Sequence, residues 1–380
     1  MRVEVHESIT DFNADEWNLL GGHRFPFISH EFLAAAERSA CVAPSSGWTP
    51  RHIGAYDADG KLCAAMPLYE KSHSWGEFVF DWSWAQAYQR VGLAYYPKLV
   101  SAAPFTPARS CRLLVRDGDP ELSGRLIESA LQFAKDEEFS SLHVLFPTED
   151  EIETLQTAGL KLRKDCQFHW HNRGYRSFDE FIAKFSSSKR KKAKRDRRRV
   201  AENGVKYRWL DGHQLDRAIW TDVYQMITYT FMRRGSMPYY DYDFFVEVSQ
   251  NLPDNILVVL AEKNNSPIAA AVCYRNNDTL YGRYWGSNVD VNALHFETCY
   301  YQGIDYCIAN QIQRFEPGTQ GEHKISRGFT PVSTWSAHWL ARPEFCTAIE
   351  TYVDEEQNYV DRYIDAVHAH SPYKSEEKTE

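Results

Sequence analysis

Hydrophobic positions along this 380-residue chain alternate between helical and extended patterns. In the first half, apolar residues at helical spacing predict helices at 29–40, 120–138 and 149–158, and Ser29 is placed to cap the first. Runs of extended pattern predict strands at 51–56, 61–69, 98–103, 141–146 and 160–171. The first two strands flank Asp57-Ala58-Asp59-Gly60, a turn that favours a hairpin.

The second half repeats this order of elements. Helices are predicted at 178–185, 189–199, 214–234, 242–249, 292–309 and 344–368, and strands at 255–262, 267–275, 279–285 and 313–315. Ser186-Ser187-Ser188 is expected to cap the helix at 189–199. The sequence therefore predicts two α/β (α+β) domains, at 1–172 and 173–370, followed by a mobile polar tail at 371–380.

Charge is distributed very unevenly. Nine of the eleven residues from Lys189 to Arg199 are Lys or Arg, whereas the whole chain has a formal net charge of −9 and its remainder carries −17. This excludes a uniformly basic nucleic-acid-binding protein and confines contact with a polyanion to the helix. Eleven residues cover every face of a helix, so this one cannot bury a full apolar stripe. It is expected to bind phosphates or, alternatively, to be solvated with counter-ions.

Several classes of protein are disfavoured. The eight cysteines lack a C-x-x-C pair, which indicates reduced thiols, and no apolar run is long enough to span a bilayer. A cytoplasmic protein without a transmembrane segment is predicted. Cys166, His169 and His171 lack a fourth ligand at suitable spacing, so no metal site is predicted. No P-loop, H-E-x-x-H or G-x-S-x-G motif is present.

Several stretches resemble the bacterial FemAB-like N-acyltransferase family, described as peptidoglycan biosynthesis or recognition proteins. They are Tyr95–Leu99 with Pro104–Pro107, Phe185–Ser187 before the basic run, Arg233–Tyr239, Leu294–Gln302 and Gln320–Phe329. The resemblance covers almost the whole chain. It implies two tandem GNAT-like (acyl-CoA N-acyltransferase) domains, each with a central mixed, largely antiparallel sheet.

The resemblance also implies an enzyme, an N-acyltransferase that moves an acyl or aminoacyl group from a phosphate-bearing donor to an amine acceptor. Acyl-CoA, or alternatively aminoacyl-tRNA, is expected as co-substrate, with no tightly bound cofactor. Two alternatives stay open. One is an aminoacyl-tRNA-dependent transferase of the FemABX type in cell-wall metabolism, in which the basic helix contacts tRNA. The other is a non-catalytic binding protein with a degenerate acyltransferase fold.

The donor is expected to bind where the strand at 279–285 leads into the next helix. Arg283 and Trp285 would share one face of this strand, although a structural role is equally compatible with the sequence. Gly286 permits close backbone approach, and Ser287 or Asn288 could cap a helix end that holds an anion. Cations of the basic helix complete the predicted donor site, namely Lys191, Lys192, Arg195 and Arg198.

A second candidate for a phosphate loop is Gln89–Ala94, which fits the pattern Q/R-x-x-G-x-G/A. This segment precedes a predicted strand, whereas a phosphate loop should lead into a helix. The context favours an ordinary surface turn.

The turn from Gln320 to Arg327 is the candidate catalytic segment, because glycines at 318, 321 and 328 flank its polar side chains. Glu322 or His323 could accept the proton of the attacking amine, and Lys324 or Arg327 could stabilise the oxyanion or bind a phosphate. An exposed charged loop is the alternative. Tyr300 or Tyr301 could protonate a leaving thiolate, although helical spacing favours a place in the core.

Overall fold

The computed structural model of this protein describes residues 2–319 and 321–374. The chain folds into two compact units. The first contains the described residues within 1–165 and 333–361, and the second those within 166–332 and 362–380. This division differs from the predicted boundaries, 1–172 and 173–370, because residues 333–361 return to the first unit.

The first part of the chain contains nine strands and five helices among its described residues. The strands are β1 (Arg2–His6), β2 (Trp48–Pro50), β3 (His52–Tyr56), β4 (Leu62–Met66), β5 (Tyr69–Lys71), β6 (Lys98–Ser101), β7 (Leu114–Val115), β8 (Ser141–Leu145) and β9 (Lys161–His171). The helices are α1 (Ala14–Leu19), α2 (His30–Arg38), α3 (Trp82–Arg90), α4 (Pro120–Asp136) and α5 (Ile152–Thr157). The first unit is therefore α/β, as predicted.

Two sheets form in the first unit. One is antiparallel with the order β1-β3-β4-β7. The other contains β8-β6-β5-β2, in which only β6 and β8 are parallel, and the end of β15 (Thr330–Leu340) pairs with β8. The predicted hairpin is present as β3 and β4, but Pro67 ends β4, so Tyr69 begins a strand of the other sheet. Apolar residues of α4 pack against both sheets.

The second part of the chain alternates helices and strands in the predicted order, with an additional strand, β10. The helices are α6 (Phe178–Ala183), α7 (Ser187–Glu202), α8 (Arg217–Met232), α9 (Tyr242–Asn251), α10 (Leu294–Phe296), α11 (Gln302–Ala309) and α12 (Pro343–Ala369). The strands are β10 (Val205–Asp211), β11 (Ile256–Lys263), β12 (Ser266–Arg275), β13 (Thr279–Ser287) and β14 (Arg314–Glu316). Within the described ranges, no helix is both long and apolar enough to cross a membrane.

The sheet of the second unit has the order β10-β11-β12-β13-β14-β9. Its first four strands form an antiparallel meander, β13 and β14 are parallel, and the end of β9 pairs with β14 in antiparallel orientation. A π-helical turn, Glu297–Tyr301, joins α10 to α11. Aromatic side chains dominate the core between the sheet and these helices, including Phe181, Phe185, Tyr301, Phe315 and Phe329.

The polar tail that we predict to be mobile from Ser371 is held, in part, by the second unit. The backbone N of Ser186 donates to the carbonyl of Pro372 at 2.9 Å, and that of Lys374 donates to the carbonyl of Lys184 at 3.1 Å. The Tyr373 hydroxyl donates to the carbonyl of Gly328 at 2.7 Å. These bonds fix residues 372–374, and the rest of the predicted tail, 375–380, lies outside the described residues.

A buried lysine organises the polar interior of the first unit. The ammonium group of Lys98 donates to the carboxylate of Glu77 at 2.8 Å, to the hydroxyl of Ser74 at 2.9 Å and to the carboxylate of Asp81. Asp81 also accepts a 2.6 Å hydrogen bond from the hydroxyl of Tyr95. All of these residues are buried. Lys98 therefore fixes the loop between β5 and α3 from beneath.

We expect Lys98→Met to lower the free energy of unfolding by about 3–5 kcal/mol, because it leaves two buried carboxylates without their cation. Urea denaturation provides the measurement. Lys61→Met, at an exposed position, is the matched control and should change stability by less than about 0.5 kcal/mol. Equal effects of the two substitutions would contradict a stabilising role for the buried cluster.

Candidate functional site

The predicted catalytic segment forms a 3₁₀ turn, Glu322–Arg327, between β14 and β15. Glycines with positive φ bound the turn, Gly321 at +117° and Gly328 at +92°. A Cβ at Gly328 would lie 2.6 Å from Phe181 and 2.8 Å from Phe185, so glycine is required there for both conformation and space. Gln320, the first residue of the predicted segment, lies outside the described residues.

The basic run lies on α7, and one of its arginines attaches this helix to the second unit. The Arg197 guanidinium contacts Asp305 at 2.6 Å and Glu297 at 3.1 Å, and it lies 4.3 Å from the centre of the Phe178 ring. Ala193 and Val200 are buried on the same side of the helix. Most of the other cations are exposed, as the run's composition predicts.

The serines before α7 do not cap it as predicted. Ser186 occupies the N-cap position, but its side chain makes no capping hydrogen bond. Its backbone carbonyl accepts instead from the Arg190 N–H at 2.9 Å, and its N–H is occupied by the carbonyl of Pro372. The start of α7 is thus fixed by backbone hydrogen bonds.

The exposed face of α7 and the polar turn line a common cleft of about 530 Å³. Both predicted segments contribute to it. Its lining consists of Lys192, Arg195, Asp196 and Arg199 from the helix, Glu322, His323, Ser326 and Arg327 from the turn, and Asn292, Ala293 and Phe296 between them. The cations outnumber the acids, so the cleft has the electrostatics of an anion site.

Arg327 joins the two sides of this cleft. Its guanidinium lies 3.4 Å from the centre of the Phe296 ring and 3.8 Å from the Asp196 carboxylate on α7. It also donates to the carbonyl of His323 at 2.6 Å. The side chain is buried, so the stacked guanidinium has a fixed orientation.

His323 and Tyr300 form a hydrogen-bonded pair at the cleft. The His323 Nε2 and the Tyr300 hydroxyl lie 2.8 Å apart. Burial, together with the cations Arg327 and Lys324, lowers the pKa of His323, whereas burial raises the pKa of Tyr300. At neutral pH, a neutral imidazole therefore lies beside a protonated phenol, an arrangement that can accept one proton and donate another.

The π-helical turn explains how Tyr300 reaches this position. A π turn adds a residue to the helical repeat and changes the direction of the side chains within it. Glu297 is the first residue of this turn. Its carboxylate contacts Arg197 at 3.1 Å and accepts a 2.8 Å hydrogen bond from the Gln302 side chain. The ion pair of Arg197 with Glu297 therefore attaches α7 to the segment that contains Tyr300.

A second cavity of about 310 Å³ lies at the end of β13. Among the residues that line it are Trp285, Ser287, Arg233, Arg234 and His295. The His295 ring lies 5.2 Å from that of Trp285 and 6.1 Å from that of His323, between the two cavities. Burial and the neighbouring cationic groups lower the pKa of His295 to about 4, so its ring is neutral.

Several predicted donor-binding residues of β13 have structural roles instead. Arg283 is the extra residue of a β-bulge, which interrupts the strand alternation used in the prediction. Its side chain is buried and donates to the carbonyls of Gly282 and Glu316 at 2.9 and 3.2 Å. The close approach that Gly286 permits is that of α8, because a Cβ there would lie 2.3 Å from the Ile227 N.

The expected helix cap after β13 is not formed by Ser287 or Asn288. The helix begins at Leu294, and its N-cap, Ala293, has no side-chain capping bond. The Ser287 hydroxyl is instead bonded to the carbonyls of Ile268 and Val289. Asn288 is exposed and reaches the carbonyl of Pro267 at 3.5 Å.

Lys324 is the one predicted catalytic residue of the turn that does not line the cleft. Its side chain is buried, and its ammonium group donates to the carbonyl of Gly318 at 2.5 Å. Burial and the nearby Arg283 lower its pKa to about 7. Lys324 thus stabilises the loop that precedes the turn.

Five of the predicted site residues line the cleft, namely Lys192, Arg195, Glu322, His323 and Arg327. The predicted Lys191 and Arg198 lie on the exposed side of α7, outside its lining. The sequence reasoning missed Arg199, although its i+7 spacing from Lys192 places both on one helix face. It also missed Phe296, which lies in the family-like stretch Leu294–Gln302 and lines the cleft.

The alternative phosphate loop and the alternative metal site gain no support from the described structure. Gln89–Ala94 lies at the C-terminal end of α3, where carbonyls rather than N–H groups are exposed, and Gly92 has a φ of +74°. Within 2–319 and 321–374, no group of three His, Cys, Asp or Glu side chains is arranged to hold a metal ion.

Comparison with known proteins places the chain in a family. Residues 8–375 match the FemAB-like family, described as peptidoglycan biosynthesis/recognition. No curated protein matches the sequence. The solved structure of FemX is similar, with a TM-score of 0.56 and 12% identity over 92% of this chain and 100% of FemX.

Two further solved structures share the fold. A C-terminal DUF2156 domain from Agrobacterium fabrum has a TM-score of 0.57 and 8% identity, over 91% of this chain and 97% of the domain. L-PGS from Bacillus licheniformis has a TM-score of 0.51 and 10% identity, over 84% of this chain and 95% of that chain. The predicted mixed α/β fold of two domains is confirmed. Since the family model covers nearly the whole sequence, this chain belongs to the FemAB-like family and is a transferase.

Proposed function

We propose that this protein transfers an acyl or aminoacyl group from a phosphate-bearing donor to an amine, in the cleft between α7 and the turn Glu322–Arg327. One observation carries the proposal: exposed cations of α7 share a cleft with His323, whose imidazole is hydrogen-bonded to the buried Tyr300. The family's description supports an acceptor in cell-wall metabolism.

The cations of the cleft are available for the donor's phosphates. In the described part of the chain, no carboxylate lies within ion-pair distance of Lys192, Arg195 or Arg199. Lys and Arg side chains bind phosphate oxygens through charge-assisted hydrogen bonds. Lys189 and Arg190 also lie in the first turn of α7, where the helix dipole disfavours cations unless an anion is bound nearby.

His323 supplies the base for the transfer. The attacking nitrogen forms a bond to the carbonyl carbon of the donor, and its proton passes to the neutral imidazole of His323. The bond from the carbonyl carbon to the leaving sulfur or oxygen then breaks. Tyr300 or the protonated His323 returns a proton to this leaving atom, and Arg327 orients the turn beside the reacting groups.

Acyl-CoA and aminoacyl-tRNA both fit this chemistry, and the length of α7 favours the alternative, aminoacyl-tRNA. A 16-residue helix is about 24 Å long. Its exposed cations continue beyond the cleft to Lys191, Lys194 and Arg198. A charged surface of this extent can follow a nucleic-acid backbone, whereas the few phosphates of a coenzyme A donor need only the cleft.

We expect the triple substitution K192Q/R195Q/R199Q to weaken donor binding at least about tenfold, because the cleft loses its phosphate-binding cations. Binding of acetyl-CoA by calorimetry and of aminoacyl-tRNA by filter retention should be measured between about 50 and 200 mM salt. For a tRNA donor, the slope of log affinity against log salt should fall by about one for each lost contact.

The matched control is K191Q/K194Q/R198Q, which removes the same charge outside the cleft. It should leave coenzyme A binding unchanged and weaken tRNA binding less than the cleft variant does. If the two triple variants behave identically with both donors, the cleft has no particular role in donor binding.

We expect His323→Gln to reduce the transfer rate by about 10²–10⁴-fold while donor binding is retained. In the wild type, the rate should rise with pH and level off once His323 is neutral, at an apparent pKa below its ordinary value of 6.5, because burial and nearby cations disfavour the imidazolium. Tyr300→Phe should reduce the rate less and shift this acidic limb.

The readout is the pH dependence of kcat for the wild type and both variants. Glu322→Gln is the comparison for the other predicted base, since it removes an exposed carboxylate that accepts from the Tyr363 hydroxyl at 3.1 Å. A full rate in His323→Gln with loss in Glu322→Gln would transfer the role of base to Glu322. No effect of either variant would show that neither side chain is the base of the transfer.

A further inference from the structure

One exposed surface of the first unit has no part in the proposed transfer, and it lies in the segment 72–94. Five large apolar side chains of this segment are exposed: Trp75 by 66%, Phe80 by 53%, Trp82 by 37%, Val91 by 61% and Leu93 by 36%. Single exposed apolar side chains are common on proteins. A concentration of this kind marks a surface that another molecule covers.

The exposed side chains come from the loop before α3, from its first residue and from the turn after it. The rings of Trp75 and Trp82 lie 5.4 Å apart in an edge contact. Helix α3 buries Trp84 and Tyr88 on its inner face. Trp82 is its first residue, its exposed polar residues Ser83, Gln86 and Gln89 carry no charge, and the exposed Val91 and Leu93 follow its end at Arg90.

The outer surface of the segment carries almost no charge. Its only two acids are Glu77 and Asp81, both buried and bound to the ammonium group of Lys98. Arg90 is the single Lys or Arg residue between 72 and 94, and it is exposed. A chain with 52 Asp and Glu residues and a net charge of −9 therefore exposes no carboxylate in these 23 positions.

A neighbouring element does not restore negative charge at this surface. Glu356 of α12 is connected to the segment through Arg163, which donates to the carbonyl of Phe80 at 2.8 Å. The carboxylate of Glu356 accepts two hydrogen bonds from the same guanidinium, at 2.6 and 2.7 Å. This acid is therefore neutralised by its partner.

The loop that carries Trp75 and Phe80 is also fixed in place. Lys98 binds its two acids, and the ammonium group of Lys71 donates to the carbonyl of Trp75 at 3.2 Å. Buried polar contacts of Lys71 and Lys98 thus hold the segment that contains the exposed tryptophans. Because the loop already holds these aromatic side chains outward, little conformational entropy is lost when they enter an apolar environment.

We propose that the segment 72–94 docks on the surface of a phospholipid bilayer, with Trp75, Phe80 and Trp82 entering the headgroup region. Tryptophan is enriched at membrane interfaces because its ring is apolar and its N–H is polar. A surface without carboxylates can approach anionic headgroups without repulsion, and Arg90 adds a weak attraction. Binding rests mainly on apolar contact, so it should persist at high salt.

The test is sedimentation of the full chain with vesicles of phosphatidylcholine that contain a minority of phosphatidylglycerol. We expect the wild type to bind, and W75S/W82S to reduce the apparent affinity at least about tenfold, because two exposed aromatic rings no longer enter the interface. Because both side chains are exposed, the midpoint of thermal unfolding should be the same in the variant as in the wild type. An unchanged midpoint shows that the variant is folded. Tryptophan fluorescence should shift to shorter wavelength with vesicles in the wild type but not in W75S/W82S.

Two control variants make the test specific. L19S/Y359S removes apolar side chains of the same unit that are 78% and 64% exposed outside the segment, and it should bind vesicles like the wild type. The α7 variant K192Q/R195Q/R199Q should also bind, at both low and high salt. If vesicle binding depends on α7 and disappears at high salt, the bilayer contact belongs to the cationic helix and the proposal fails.

Three other results would overturn the proposal. The wild type could fail to sediment with vesicles, or W75S/W82S could bind as well as the wild type. The wild type could also be a dimer by light scattering that W75S/W82S converts to a monomer, without any vesicle binding. The last result would assign the surface to a second copy of this chain.

Discussion

The arrangement of the second unit depends on the ion pairs of Arg197. A helix with nine cations in eleven positions gains little from apolar burial, since only Ala193 and Val200 offer apolar contacts on its inner side. Arg197 supplies the missing attachment through Glu297 and Asp305. Lys192, Arg195 and Arg199 can then stay at the surface of the cleft, where they can meet phosphates.

The same ion pair also acts on the opposite side of the cleft. Glu297 is the first residue of the π-helical turn, and Tyr300 lies within that turn, beside His323. Because Glu297 is largely buried, its pKa is raised, and Arg197 opposes this effect. The charge that holds the helix in place thus also stabilises the irregular turn that brings the phenol to the imidazole.

The sequence predicted the fold class, most of the elements and the two segments that meet at the cleft. Patterns of charge and of glycine were sufficient for α7 and for the turn at 322–327, because both are local properties of the chain. The sequence indicated Tyr300 as a possible acid and favoured a place in the core, and the residue is indeed buried. Its hydrogen bond to His323 could not be predicted, since a π turn leaves no periodic signal. Arg283 was misplaced for a similar reason, as a β-bulge breaks the alternation of a strand.

The burial of individual charged side chains, like irregular backbone, could not be predicted from the sequence. Lys324 follows two polar residues that line the cleft, yet its own side chain turns inward to the carbonyl of Gly318. Lys98 of the first unit shows the same behaviour with the carboxylates of Glu77 and Asp81. Composition treats such lysines as surface charges, whereas their burial depends on how the folded chain packs around them.

The contacts of residues 372–374 give the end of the described chain an unexpected influence. Pro372 accepts from the residue that precedes α7, and Tyr373 donates to the carbonyl of Gly328, which follows the turn Glu322–Arg327. One short segment therefore contacts the start of α7 and the end of the turn Glu322–Arg327, the two walls of the cleft. A fused tag, a proteolytic cut or a partner that displaces this segment would loosen both walls together, so the geometry of the cleft is open to control from a position remote from its chemistry.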